Sequence, residues 1–197
     1  MSSRPLVILA SNSPRRKQLL ADLGIEFEVR SANVAEHVPS GMIGSDVPEY
    51  LAKIKAEAVH QQAKNSLVIA ADTVVILEES LLGKPKNRQE AKDFLLKLSG
   101  KKHQVVTGVC IIYKENTVLF KDTTLVSFRE LSQNEVDHYL DKYHPFDKAG
   151  AYGIQEWIGM IGVTGIEGSY FNVVGLPVHK LYLELMDMAV GLEMDWY

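Results

Sequence analysis

Apolar residues fall into runs whose spacing differs from one part of the chain to the next. Leu6 to Ala10 is a short continuous run that ends in small polar residues. Ser13 and Pro14 then supply a cap and a first-turn proline for a helix that reaches Leu23 and stops at Gly24. This predicts strand, tight turn and helix, with Phe27 to Arg30 as a second strand. A polar stretch containing Pro39, Gly41 and Gly44 follows. Leu51, Ile54, Lys55 and Ala58 then recur at helical spacing within Pro48 to Ala63, behind a cap at Ser45 or Asp46. Leu67 to Leu77 is rich in β-branched residues and apolar on both alternating faces, the pattern of a strand buried on two sides.

Lys84-Pro85 breaks that pattern, and Asn87 caps a third helix that runs to Leu98 and ends at Gly100. Val105 to Tyr113 and Thr117 to Phe128 flank the turn Lys114-Glu115-Asn116 and read as an antiparallel pair. Ser132-Gln133-Asn134-Glu135 is a capping box that opens a helix to about Tyr143. From Asp147 to Gly175 glycines are frequent and no helical period emerges, which predicts loops and short strands. Leu176 to Met188 closes the chain as an amphipathic helix. With no repeat, low-complexity tract or linker, the pattern predicts an α/β or α+β fold around one mixed, twisted sheet flanked by helices.

Composition narrows the function classes. The 197 residues are 46% hydrophobic and 23% charged, the balance of one soluble domain with a sizeable core. Twenty-one basic against 25 acidic side chains give a net charge of −4, so no global positive field recruits a nucleic-acid polymer or an anionic membrane. Any polyanion has to be met by a local cluster. The single cysteine, Cys110, excludes an internal disulfide framework and a thiolate zinc site and points to a reducing compartment, the cytoplasm. No export signal or 18-residue apolar span is expected.

Two places break the ordinary pattern. Ser11-Asn12-Ser13-Pro14-Arg15-Arg16 puts two hydroxyls, free amides and two guanidinium groups at a helix N-terminus. Cations in a first turn oppose the helix dipole by about 0.3–1 kcal/mol each, and an incoming anion reverses that sign. The segment is therefore either a phosphate cradle or a basic turn held by a salt bridge. Asp72 is a lone carboxylate inside the apolar run Val68 to Ile76. Its burial needs a metal, a proton or a cation such as Lys55 or Lys84. Either the acid faces those cations across an open gap, where it binds a divalent ion or takes a proton from water, or it closes the gap as a buried ion pair with one of the lysines.

Asp147 to Gln155 combines an ion pair, two permissive glycines and, in Gln155, an amide able to read the edge of a base; a self-satisfied glycine-rich turn is the other reading. The six histidines lack zinc-binding spacing and are expected at the surface or as caps. Cys110 is expected to be inert core.

In order along the chain, Ser11-x-Ser13-Pro14-Arg15-Arg16, Leu51-Ala52-x-x-Lys55-Ala56, Ala71-Asp72-Thr73, Gly83-Lys84-Pro85, Leu98-Ser99-Gly100, Asp147-Lys148-Ala149-Gly150-Ala151-Tyr152-Gly153-Ile154-Gln155 and Gly168-Ser169-Tyr170 through Gly175-Leu176-Pro177 resemble the Maf family of nucleotide pyrophosphatases. The Asp147 to Gln155 form is similar to the branch acting on dTTP and UTP. The resemblance implies a single domain over 1–190 with a short tail at 191–197, and a two-lobed fold with a central cleft like that of inosine triphosphate pyrophosphatases. It also implies Mg²⁺- or Mn²⁺-dependent hydrolysis of dTTP and UTP, with CTP or modified pyrimidine nucleotides as further substrates, between the α and β phosphates, a cytoplasmic homodimer, and a house-cleaning or division-arrest role. By motif position Asp72 is the proton acceptor. Arg15, Thr73 and Gln155 match positions that tune base choice, Ser11, Ser13, Arg16, Lys55 and Lys84 face phosphate, and Glu36 joins Asp72 near the metal. Glu156 stands where the family often has a small residue, so the edge of the base pocket is expected to differ in charge and width. A nucleotide-binding regulator of cell division without hydrolysis is the alternative reading.

Overall fold

The computed structural model describes residues 5–191. The tail expected at 191–197 lies, from residue 192 onward, outside the described residues. The chain runs β1 (Val7–Leu9), α1 (Pro14–Asp22), β2 (Glu28–Val29), α2 (Val47–His60), β3 (Leu67–Leu77), β4 (Ser80–Leu82), α3 (Arg88–Leu98), β5 (Lys102–Tyr113), β6 (Asn116–Phe128) and α4 (Gln133–Tyr143). A 3₁₀ turn at Ala149–Ala151 leads to α5 (Trp157–Gly162), β7 (Val163–Glu167), α6 (Tyr170–Val174) and α7 (Val178–Gly191). The seven strands form one mixed sheet in the order β2-β1-β3-β5-β6-β7, with β4 pairing β3. β1 is parallel to both β2 and β3, and the remaining pairs are antiparallel.

The expected helix caps at Ser13, Asn87 and Ser132 form, each side chain accepting from a backbone amide three residues on. The stretch after Asp147 departs from expectation, since it holds two short helices as well as β7. Helices of five and six residues are too short to display a 3.6-residue period. Gly159 hides α5 further, because a Cβ there would lie 1.9 Å from the Ile154 carbonyl oxygen and no larger residue fits.

β3 builds the cleft. Its odd positions Leu67, Ile69 and Ala71 pack with Leu19, Leu20 and Leu181, whereas Val75 and Leu77 pack with Leu95, Val136 and Leu140. Its even positions Val68 and Ala70 meet Ala52 and Ala56, whereas Val74 and Ile76 meet Val47 and Leu51. Thr73 interrupts the first face and Asp72 the second at one level, so apolar packing at both ends leaves a polar belt between two lobes. The edge opens at the same level: β1 pairs Leu67 to Ile69 and β4 pairs Val75 to Leu77, and no described strand covers Ala71 to Val74 on that side.

On the other side Asp72 pairs with Gly108 of β5. A Cβ at Gly108 would stand 2.2 Å from the Glu49 nitrogen and 2.3 Å from the Pro48 carbonyl carbon, so α2 rests on bare backbone here. That contact sets the height of Lys55, which lies on the buried stripe Val47, Leu51, Ala52, Lys55, Ala56 and Val59. Gly108→Ala is expected to destabilise the fold by about 3 kcal/mol through overpacking against rigid backbone. A urea midpoint equal to wild type would show that α2 gives way freely.

Candidate active site

All ten residues singled out from the sequence line one cleft of about 350 Å³ at the open edge of β3. Ser11 and Ser13 follow the end of β1, and Arg15 and Arg16 occupy the first turn of α1. Glu36 comes from the loop after β2, Lys55 from α2, Asp72 and Thr73 from β3, Lys84 from the segment after β4, and Gln155 from the segment before α5.

The first-turn arginines find a different helix end. Arg16 donates from Nε to the Gly175 carbonyl at 2.8 Å, and Arg15 donates from Nε to the Val174 carbonyl at 3.3 Å. Both acceptors close α6, where a helix C-terminus attracts cations. Arg16 also donates to Ser11 Oγ at 3.3 Å and to Thr73 Oγ1 at 2.9 Å. Thr73 is fixed in turn by Thr107, 2.9 Å away, which donates to the Asn172 carbonyl at 3.0 Å. Burial pulls the Arg16 pKa down, nearby Arg15 adds to that, and Asp72 opposes it. Arg15 pairs with Asp147 at 3.0 Å, a partner 132 residues away.

The gap between Asp72 and its cation is closed. Lys55 Nζ sits 2.6 Å from Asp72 Oδ1 and 2.9 Å from Glu36 Oε1, so one ammonium bridges both carboxylates and leaves the cluster one negative charge in excess. The sheet-facing stripe of α2 places Lys55 directly over the even face of β3, and this registry selects Lys55 rather than Lys84 as the partner. Burial pushes the Glu36 carboxyl up, but the hydrogen bond and charge of Lys55, with Lys84 and Arg16, overcome it and hold the group below the usual carboxylate range. Lys84 lines the cleft, is exposed and makes no salt bridge among the described residues. The opening that remains faces Ser11, Arg16 and Lys84.

The donor set fits a divalent cation that shares a substrate. Among the described residues no group of three or more His, Cys, Asp or Glu could hold a metal alone. Two carboxylates that already converge on one cation suit Mg²⁺ or Mn²⁺, which is commonly held by one or two carboxylates, water and substrate phosphates.

At the far side Gln155 is exposed to the cleft. Glu156 does not line it: its carboxylate turns away to accept from Tyr139 Oη and pair with Lys148, so the expected change at the pocket edge does not arise. Cys110 is buried core, its thiol pushed up to about 12 by burial and then by Glu57. His103, expected at the surface, is instead buried beneath the cleft, with Nε2 2.8 Å from the hydroxyl of the cleft-lining Tyr152. A lone histidine between polar neighbours gave no sign of this. Burial lowers its pKa from 6.5 to about 4, so the folded state keeps His103 neutral where the unfolded chain takes up a proton. That contribution is complete above pH 6.5 and falls by about 3 kcal/mol as pH drops to 4. His103→Gln is expected to flatten this part of the stability curve; an unchanged slope would show that His103 does not titrate there.

A parallel strand ending at a capped helix, two arginines, two lysines and two carboxylates bridged by one ammonium meet in the cleft of an α/β protein, a donor set whose chemistry suits a polyanion. Residues 6–188 match the description Maf-like protein, and the chain belongs to that family. A Porphyromonas gingivalis (strain W83) relative named dTTP/UTP pyrophosphatase is 51% identical over 187 residues, spanning 93% of this chain and 94% of its own. Relatives of the same name from Cytophaga hutchinsonii and Bacteroides thetaiotaomicron are 51% and 49% identical, over 92% and 91% of this chain and 84% and 94% of theirs. Among solved structures, the Staphylococcus aureus Ham1 protein aligns at 20% identity and a TM-score of 0.44, over 62% of this chain and 71% of its own.

Proposed function

We propose that this chain hydrolyses dTTP and UTP at the α-β phosphoanhydride, giving the nucleoside monophosphate and pyrophosphate, with Mg²⁺ or Mn²⁺ as cofactor. The observation that carries the reading is the meeting, in one cleft, of Asp72 and Glu36, bridged by Lys55, with Ser11, Arg16 and Lys84. The names of relatives at about half identity over nearly the whole chain support the same reaction and do not favour a regulator without hydrolysis.

Arg16, fixed by Ser11, Thr73 and Gly175, presents a preset positive charge to the phosphates, and the exposed Lys84 adds a second. Preset charge lowers the cost of the negative charge that develops as the anhydride breaks. A water oxygen bonds to the α phosphorus while the bond to the bridging oxygen breaks, its electron pair leaving with pyrophosphate. Asp72 takes the water proton. Asp72 and Glu36 would hold the cation, which supplies charge neutralisation and acidifies bound water. Lys55 must then release at least one carboxylate and turn to phosphate. Thr73, Arg15 and Gln155 line the same cleft, and their role in this reading is to tune the choice of base.

No helix among the described residues is long and apolar enough to cross a membrane. We take residues 1–190 to act as one unit, in the cytoplasm and as a homodimer. The test is multiple-turnover pyrophosphate release from dTTP, UTP, ATP and GTP with each divalent ion. Preferred release from the two pyrimidines is expected; tight binding without release would favour the regulator.

A further inference from the structure

Arg15 and Gln155 reach the cleft from segments 140 positions apart, yet a row of alternating charges crosses between them. Arg15 Nη1 pairs with Asp147 Oδ2 at 3.0 Å, and Asp147 Oδ1 accepts from Lys148 Nζ at 2.7 Å. The same ammonium lies 3.1 Å from Glu156 Oε1, the residue next to Gln155. Glu156 is anchored from below by the Tyr139 hydroxyl, which also accepts from the Gly153 amide at 3.1 Å. Tyr139 and Lys148 are buried and Asp147 is open to solvent, so the row is anchored in the interior at its Lys148 and Glu156 end. Gly153 fits tightly over it, since a Cβ there would stand 2.8 Å from Glu156 Cδ.

We infer that Asp147, Lys148 and Glu156 are positioning residues for base choice, holding Arg15 and Gln155 in fixed relation so that the arginine offers one donor to a base carbonyl. The inference rests on the proposed pyrimidine triphosphate reaction. Arg15 spends Nε on Val174 and Nη1 on Asp147, and Nη2 makes no hydrogen bond among the described residues. A guanidinium so clamped can only donate. Gln155 has both a donor and an acceptor and does not discriminate unless its partner is fixed. Uracil and thymine present carbonyl oxygens at C2 and C4, whereas cytosine carries an amino group at C4. A fixed donor at the C4 edge therefore favours UTP over CTP. Without Asp147 or Lys148 the guanidinium swings and the preference weakens. The row suits this task because its Lys148 and Glu156 end is held in the interior, where displacing Lys148 leaves Glu156 without its cation.

UTP and CTP share ribose, ring size and triphosphate, so general damage to the protein moves both alike. The experiment measures kcat/KM for the two in wild type, Asp147→Asn, Lys148→Met and Lys148→Arg. Wild type is expected to prefer UTP. Asp147→Asn and Lys148→Met should lower the UTP to CTP ratio roughly tenfold, about one hydrogen bond to a charged group, mainly through KM for UTP, and Lys148→Arg should restore most of it. Equal losses for both nucleotides, an unchanged ratio, or no wild-type preference would overturn the inference. Absence of pyrophosphate release by wild type from either nucleotide would instead defeat the proposed reaction. The same ratio can then be read from calorimetric dissociation constants, with the same outcomes for the relay. If Asp147→Asn fails to fold, the Lys148 pair of variants decides the matter.

Discussion

Asp72→Asn should lower pyrophosphate release from dTTP by roughly 10²–10⁴-fold while leaving the fold in place. The amide keeps the size of the carboxylate and an oxygen that still accepts from Lys55, so the polar belt between the lobes retains its packing. Lys55 also keeps Glu36 at 2.9 Å, and its ammonium is not stranded. What disappears is the negative charge that would take a proton from water and share in holding the cation. Stability should drop by no more than about 2 kcal/mol, the scale of one charge-assisted hydrogen bond. Turnover near the wild-type value in a folded variant would remove Asp72 from the chemistry.

The second large effect is expected at Lys55. Lys55→Met is close in volume and keeps the stripe of α2 apolar, but it leaves Asp72 and Glu36 facing each other without their shared ammonium. Two results follow. Pyrophosphate release should fall by roughly 10²-fold or more, as expected when a preset cation at the developing charge is lost. Mn²⁺ binding measured by calorimetry without nucleotide should become tighter than in wild type, because the ammonium no longer competes for the carboxylates. In wild type, by contrast, metal affinity should rise sharply when a nucleotide is present to receive Lys55. Mn²⁺ affinity unaffected by the substitution would mean that the two carboxylates are not where the cation binds.

How much of this could be read beforehand depends on distance along the chain. β3 was legible because its eleven residues are apolar on both alternations except at Asp72 and Thr73, and Asp72 was legible because a charge in such a run has no ordinary reason to be there. The Ser13 cap and the basic turn after it were equally plain, being local. Lys55 was a named partner of Asp72, but choosing it over Lys84 required the registry of α2 on Gly108. Arg15 with Asp147 was hidden because each residue sits in a motif that makes sense by itself, and the carbonyls that receive both guanidinium groups belong to a helix too short to leave a period. β4, three residues long, was missed for the same reason of length. Glu156 looked like a change at the pocket edge and proved to point below it, since the direction of a side chain in a glycine-rich turn is set by tertiary partners such as Tyr139.

The central claim is that the opening beside the Lys55 clamp receives the triphosphate. A crystal structure of Asp72→Asn with UTP and Mg²⁺ tests it most directly. Phosphates are expected against Arg16, Ser11 and Lys84, the base toward Arg15 and Gln155, and Lys55 turned to a phosphate oxygen. A nucleotide bound elsewhere, with the cleft empty and Lys55 still resting between residue 72 and Glu36, would contradict it.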